Sequence, residues 1–236
     1  DENGRTCLHE ACTSGDVEGL KAMLELGGKD LVMCADKNGR TCLHEACTSG
    51  DVEGLKAMLE LGGKDLVMCA DKNGRTCAHE ACTSGDVEGL KAMLELGGKD
   101  LVMCADKNGR TCAHEACTSG DVEGLKAMLE LGGKDLVMCA DENGRTCLHE
   151  ACTSGDVEGL KAMLELGGKD LVMCADKNGR TCAHEACTSG DVEGLKAMLE
   201  LGGKDLVMCA DENGRTCLHE ACTSGDVEGL KAMLEL

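Results

Sequence analysis

The segment Thr6-Cys7-Leu8-His9-Glu10-Ala11 returns at Thr41, Thr76, Thr111, Thr146, Thr181 and Thr216, always 35 residues on. A fixed period of about 20–50 residues means a solenoid or an array, because a unit that small cannot bury its apolar face alone and must lean on its neighbours. The 236 residues divide into units 1–35, 36–70, 71–105, 106–140, 141–175 and 176–210, then a partial unit 211–236. The repeat overrides what length alone would suggest and predicts one array over residues 1–236. Only two positions vary: the second (Glu2, Lys37, Lys72, Lys107, Glu142, Lys177, Glu212) and the eighth (Leu8, Leu43, Ala78, Ala113, Leu148, Ala183, Leu218).

Within a unit, Asp1-Glu2-Asn3-Gly4-Arg5 opens with a tight-turn signal, since Asn and Gly both tolerate positive φ. The sequence around it is poor in β-branched residues, so a short hairpin-like finger is expected rather than a sheet. Thr6 is suited to cap a first helix from about Cys7 to Thr13 or Ser14, and Gly15 to end it in a left-handed conformation. Asp16 then caps a second helix with Glu18 in its favourable first turn. Val17, Leu20, Met23, Leu24 and Leu26 fall at helical spacing and predict its buried stripe. Gly19 inside this helix costs about 1 kcal/mol relative to Ala; a close neighbouring backbone would account for it. Gly27-Gly28 is expected to stop the helix. A loop through Leu31-Val32-Met33 then returns, its apolar run buried, to the next finger.

These residues resemble the ankyrin repeat. The resemblance rests on Thr6-Cys7-Leu8-His9, Ala11, Gly15, Met23-Leu24 and Gly27, and it covers the chain seven times over. It implies an all-α repeat: an α-solenoid of helix-turn-helix units with short β-hairpin-like fingers, curved and right-handed, with fingers and first helices lining a concave face. The departures are specific. The family's period is about 33 residues. Cys7 stands where the family has Pro, and Cys12 where a second Ala is usual. Ala78, Ala113 and Ala183 replace a core Leu, a change that costs roughly 2–5 kcal/mol when buried.

Ankyrin proteins mostly bind other proteins through finger tips and the inner helix surface. Carried onto these positions, the resemblance implies a partner-binding row. Glu2, Asn3, Arg5, Thr13 and Ser14 open it, followed by Lys37, Asn38 and Arg40, and by Lys72, Asn73 and Arg75. Lys107, Asn108 and Arg110 come next, then Glu142, Asn143 and Arg145, and finally Lys177, Asn178 and Arg180. The implied function is a non-catalytic protein-interaction scaffold.

Charge and composition narrow the partners. Lys and Arg number 24 against 44 Asp and Glu, a net charge of −20. That sign argues against nucleic acid, whose binding relies on clustered cations. No apolar run approaches the roughly 18 residues needed to span a bilayer, so no membrane role is expected. The 20 Cys sit in a helical pattern able to build a core by stacking, whereas small secreted scaffolds use disulfides because they lack one. Reduced thiols and an intracellular, cytoplasmic setting are expected. The chain starts at Asp1 rather than Met, as a processed or excised piece would.

Cys7, His9 and Cys12 could suggest zinc or a nucleophile. Zinc takes four ligands in a tetrahedron, yet on a helix Cys7 and His9 point nearly opposite ways. The reading preferred for His9 is structural, a hydrogen bond tying finger to helix, as the resemblance implies. Neither metal nor cofactor is expected, and no catalytic residue is assigned. Equivalent thiols in stacked helices lie roughly 8–10 Å apart, too far for a disulfide, which leaves cross-pairs such as Cys34 with Cys42 open.

Exposed positions such as Thr13, Ser14, Glu10 and Lys21 repeat without exception, where a surface shaped for one irregular partner would vary. Uniformity points to recent tandem duplication or deliberate construction. It also supports a second reading: a structural rod. Solenoids normally finish in polar caps; here both terminal units keep their apolar residues, which predicts head-to-tail self-association.

Overall fold

The computed structural model describes residues 1–236. Fourteen helices alternate short and long. The short first helices are α1 (Cys7–Ser14), α3 (Cys42–Ser49), α5 (Cys77–Ser84), α7 (Cys112–Ser119), α9 (Cys147–Ser154), α11 (Cys182–Ser189) and α13 (Cys217–Ser224). The second helices are α2 (Val17–Val32), α4 (Val52–Val67), α6 (Val87–Val102), α8 (Val122–Val137), α10 (Val157–Val172), α12 (Val192–Val207) and α14 (Val227–Leu234). The backbone forms two compact units, Asp1–Glu115 and Ala116–Leu236. Inside the first, α1, α3 and α5 stack in one layer and α2, α4 and α6 in another. Inside the second, α9, α11 and α13 stack, as do α8, α10, α12 and α14. This is the expected helical-repeat solenoid architecture.

The finger is a hairpin closed by a single antiparallel bridge, Ala35 to Thr41, repeated at Ala70–Thr76 and onward. Its turn differs from the Asn-Gly turn read from sequence. Only Gly39 has positive φ, at 79°, and no non-Gly residue does. The Gly39 N–H donates to the Asp36 carbonyl at 2.9 Å. The Asp36 carboxylate accepts the N–H groups of Asn38 (2.7 Å) and Arg40 (2.9 Å). The turn is thus Asp-Lys-Asn-Gly, with Asp as its organiser, because an Asp side chain can satisfy its own backbone two residues on.

Each first helix ends at a left-handed Gly, such as Gly50 with φ 74°, as expected. Each second helix starts at its Asp: the Asp51 carboxylate accepts the Gly54 N–H at 2.9 Å. Gly54 leaves room for that cap. A Cβ there would lie 2.8 Å from Cγ of Asp51 and 2.9 Å from Cδ1 of Leu20 in the preceding unit. The glycine is required by two side chains, not by a neighbouring backbone.

Two expectations are corrected. The Gly pair does not end helical structure. Gly63 breaks the helix with φ 57° and ψ −147°, a region open to glycine and hardly to other residues, and the chain resumes a helical turn over Lys64 to Val67. That turn buries Leu66 and Val67 completely, but leaves Met68 half-buried. The stripe also stops short of Leu26. Leu55, Met58 and Leu59 are buried, whereas Leu26 is 92% exposed and its equivalents from Leu61 to Leu201 remain 38–40% exposed. Leu61 stands two residues past Leu59, about 200° further round a helix of 3.6 residues per turn, so it faces away from the core.

Small residues make the layers close. Cys42, Leu43, Ala46 and Cys47 are fully buried, and Ala78, Ala113 and Ala183 are as buried as the leucines they replace. The Cys12 thiol lies 4.0 Å from Sδ of Met58 in the next unit, a soft contact that suits an adaptable thioether. All 20 cysteines are free thiols.

Candidate functional site

The fingers present a regular edge. Lys37, Asn38, Lys72, Asn73, Lys107 and Asn108 are exposed, as are Glu142, Asn143, Lys177 and Asn178 and the first finger's Glu2 and Asn3. Neighbouring fingers are joined through their backbones. The Lys37 N–H donates to the Asn3 carbonyl at 2.8 Å, and Lys72 N–H to the Asn38 carbonyl at 2.7 Å. Lys177 to Asn143 repeats this in the second unit at 2.8 Å. The bond holds adjacent tips at constant spacing and leaves their side chains outward. The variable second position therefore changes tip charge without touching the joint.

Beneath the tips, histidine sets the finger's angle. His44 Nδ1 accepts the Thr41 N–H at 3.1 Å, and its Nε2 faces the Arg75 carbonyl of the next unit at 3.2 Å. Since Nδ1 accepts, the ring is neutral with its proton on Nε2, donating to that carbonyl. Thr41 and His44 thus form a capping box in which imidazole takes the place usually held by Glu or Gln. The structural role read from sequence holds, and it extends across units rather than staying local. The thiol beside this ring is Cys77 of the next unit, 3.5 Å from Nδ1. Both groups are fully buried, with no opening for a substrate. No three His, Cys, Asp or Glu side chains are grouped to hold a metal ion.

The arginines are placed differently from the tips. Arg40 Nε donates to Glu45 at 3.0 Å, and its guanidinium reaches Glu80 of the next unit at 3.4 Å. Arg75 likewise engages Glu80 (3.0 Å) and Glu115 (3.2 Å). Each inner glutamate lies between two arginines, forming a ladder along the first helices. In the second unit Arg145 pairs with Glu150 and Glu185, and Arg180 with Glu185 and Glu220. Side chains here are only about one-fifth exposed for Arg and 13–15% for the inner Glu. Burial alone would raise the Glu45 carboxyl, but hydrogen bonds and charge from Arg40 and Arg5 outweigh it and hold it below the ordinary value. Arg5 and Arg110 also bond the glutamate five residues on.

Thr13 and Ser14 are exposed but engaged. The Arg5 guanidinium donates to Thr13 Oγ1 at 2.8 Å. Ser49 Oγ donates to the Cys12 carbonyl of the preceding unit at 2.8 Å, satisfying a helix-end carbonyl that would otherwise lack a partner. Sequence reasoning missed the ladder and this serine bridge. Their residues carried no distinguishing signal: all but two positions of the unit recur, so the recurrence of Arg5, Glu10 and Ser14 does not single them out.

A family model described as ankyrin repeats (3 copies) matches residues 1–68, 26–103, 61–140, 98–173 and 166–236. Among solved structures, the chain is similar to the human ASB11 ankyrin repeat domain. Identity is 28% and TM-score 0.78, over 98% of this chain and 97% of that one. The ankyrin repeat domain of Bcl-3, described as a unique member of the IkappaB protein family, matches at 21% identity and TM-score 0.76, over 98% of this chain and 99% of that one. This second likeness speaks for the fold alone. No curated protein matches in sequence. No helix is long and apolar enough to cross a membrane.

Proposed function

The chain belongs to the ankyrin repeat family, whose members are generally protein–protein interaction scaffolds, and on that premise we propose that its fingers and first helices form a non-catalytic binding face for a protein partner. The observation that carries this reading is the backbone bond between successive fingers, Lys72 N–H to Asn38 carbonyl. It presents exposed Lys and Asn side chains as a pre-ordered row, and pre-ordering spares a binding surface the entropy of becoming fixed. Tips supply the contacts: Glu2, Asn3, Lys37, Asn38 and their equivalents, with Thr13 beside them. Arg5, Arg40 and Arg75 serve the row from beneath, as its bracing.

The test compares proteins retained from a cell lysate by the native array and by two variants. A partner on the fingers is lost from Lys37→Ala, Lys72→Ala, Lys107→Ala, Lys177→Ala and retained by Glu60→Ala, Glu95→Ala on the second helices. Equal retention by all three would contradict the reading.

A second reading, end-to-end assembly of the 236-residue chain, draws on the exposure of Leu26 at 92%, Met208 at 70% and Leu234 at 73%. Cys7 and Cys222 are likewise exposed, while Cys42 and Cys187 at the equivalent positions are buried.

A further inference from the structure

The second helices carry grooves that the finger face does not involve. Between α2 and α4 the surface opens over Leu24, Ala57 and Leu61, with Lys21, Glu25 and Glu60 on the rims. The same set recurs between α8 and α10 over Leu129, Ala162 and Leu166, rimmed by Lys126, Glu130 and Glu165. It recurs again between α10 and α12 over Leu164, Ala197 and Leu201. Glu165 lines two successive grooves, so the grooves form a row.

The charge of this row is predominantly acidic, although Lys161 stands on one rim and Lys196, drawn to Glu193 at 3.6 Å, on another. Lys21 is drawn to Glu53 at 3.4 Å and Lys126 to Glu158 at 3.2 Å. The exposed carboxylates of Glu60, Glu130 and Glu165 stand beside the leucines without an ion-pair partner. A second copy laid on this face would set carboxylates against carboxylates, and like charges facing each other oppose association. The complementary occupant is cationic and apolar together.

Spacing defines its conformation. Packed helices sit about 8–10 Å apart, and each groove is only about a turn long, from Lys21 to Glu25. The occupant must therefore cross the row and offer one apolar side chain per groove. A polyproline-II chain repeats every three residues with a rise of about 3.1 Å per residue, returning a side chain to the same face at about the groove spacing. We propose that the second-helix grooves of each unit bind a basic polyproline-II segment of a partner protein, with an apolar residue at every third position seated over Leu61 in the first unit or over Leu166 and Leu201 in the second, and Lys or Arg against the Glu rims.

The probe is a synthetic peptide of repeated Leu-Pro-Lys, labelled for fluorescence anisotropy and titrated with the full chain. Binding is expected to weaken strongly as salt rises from about 0.01 M to about 1 M, where the Debye length falls from about 30 to about 3 Å. Charge reversal at Glu60, Glu95, Glu130, Glu165 and Glu200 (each Glu→Lys) is expected to weaken it at least about tenfold, as is Leu→Ser at Leu61, Leu96, Leu131, Leu166 and Leu201. These side chains are exposed, and circular dichroism verifies that both variants stay folded. A finger variant, Lys37→Ala with Lys72→Ala, Lys107→Ala and Lys177→Ala, keeps native affinity, which separates this site from the finger face. The proposal is overturned if the native chain leaves the peptide unbound at about 1 mM, the weak end of specific affinities. Equal binding by the charge-reversed chain, equal binding of a Leu-Pro-Glu peptide, or loss of binding in the finger variant would also overturn it.

Discussion

His44 and Arg75 are 31 residues apart in sequence and meet at 3.2 Å, imidazole Nε2 to backbone carbonyl. The same ring accepts the Thr41 N–H at 3.1 Å, so one buried side chain holds its own finger and the next. His44→Ala leaves the buried Thr41 N–H without its acceptor, while the Arg75 carbonyl keeps the Asp71 N–H at 2.8 Å. A buried orphan costs about 1–3 kcal/mol, and urea unfolding followed by circular dichroism is expected to show a loss in that range for this single substitution.

The same bond predicts acid sensitivity. Burial pushes His44, His79 and His184 below the ordinary 6.5; at His149 the same burial is outweighed by the charge and hydrogen bond of Cys182, which raise it and offset part of the effect. The unfolded chain therefore takes up the protons of the first three at higher pH than the fold does. Stability is full above pH 6.5 and falls as pH drops below it, since the unfolded state binds more protons there. A second loss begins below 4.5, as the arginine-held Glu45 and Glu115, kept low despite their burial, become protonated. Burial raises Asp86 and Asp191 and offsets part of that second loss. Urea midpoints measured between pH 8 and pH 4 check both windows; a midpoint that stays flat from pH 6.5 downward would contradict the histidine account.

The ladder predicts an asymmetry between conservative changes. Glu80 receives Arg75 at 3.0 Å and Arg40 at 3.4 Å. Glu80→Gln leaves two partly buried guanidinium groups short of a charged partner and is expected to cost about 1–3 kcal/mol. Arg75→Lys also destabilises, because an ammonium lacks the planar fork that reaches two carboxylates. A double-mutant cycle on Arg75 and Glu80 measures the coupling, which shrinks in high salt.

How much of this was legible beforehand depends on where each contact lies. Signals inside one unit read well: Asp16 and Gly15 as caps, the two helices, and the finger at Asp36–Arg40. Contacts between units did not, because a period of 35 states that units stack but not with what offset. Arg5 meets Glu45, 40 residues on, and Ser49 meets Cys12, 37 residues back; neither offset is a multiple of the repeat. The helix break at Gly63 misled in another way. Two glycines signal a stop, yet one residue with φ 57° redirects the chain into a further helical turn that buries Leu66 and Val67.

Gly54 supplies a counter-intuitive test. Replacing a helical Gly by Ala usually gains about 1 kcal/mol. Here the new Cβ would press on the Asp51 cap and on Leu20. Gly54→Ala is expected to destabilise, and a raised midpoint in thermal unfolding would contradict the packing described.

The thiols report accessibility directly. Cys7 and Cys222 are exposed, Cys34 and its five equivalents are half-buried, and the other twelve are buried. A thiol reagent at neutral pH is expected to label two rapidly and six slowly, and the remaining twelve only on unfolding.

The most direct test of the central claim is molar mass in solution. That claim is that the chain offers its finger face to other proteins rather than assembling with itself. Size exclusion with light scattering in reducing buffer, read by refractive index because the chain has no Trp or Tyr, would cover a wide concentration range. The account predicts a constant 24.6 kDa. A mass that climbs with concentration under reductant would contradict it and make the end faces the functional surface.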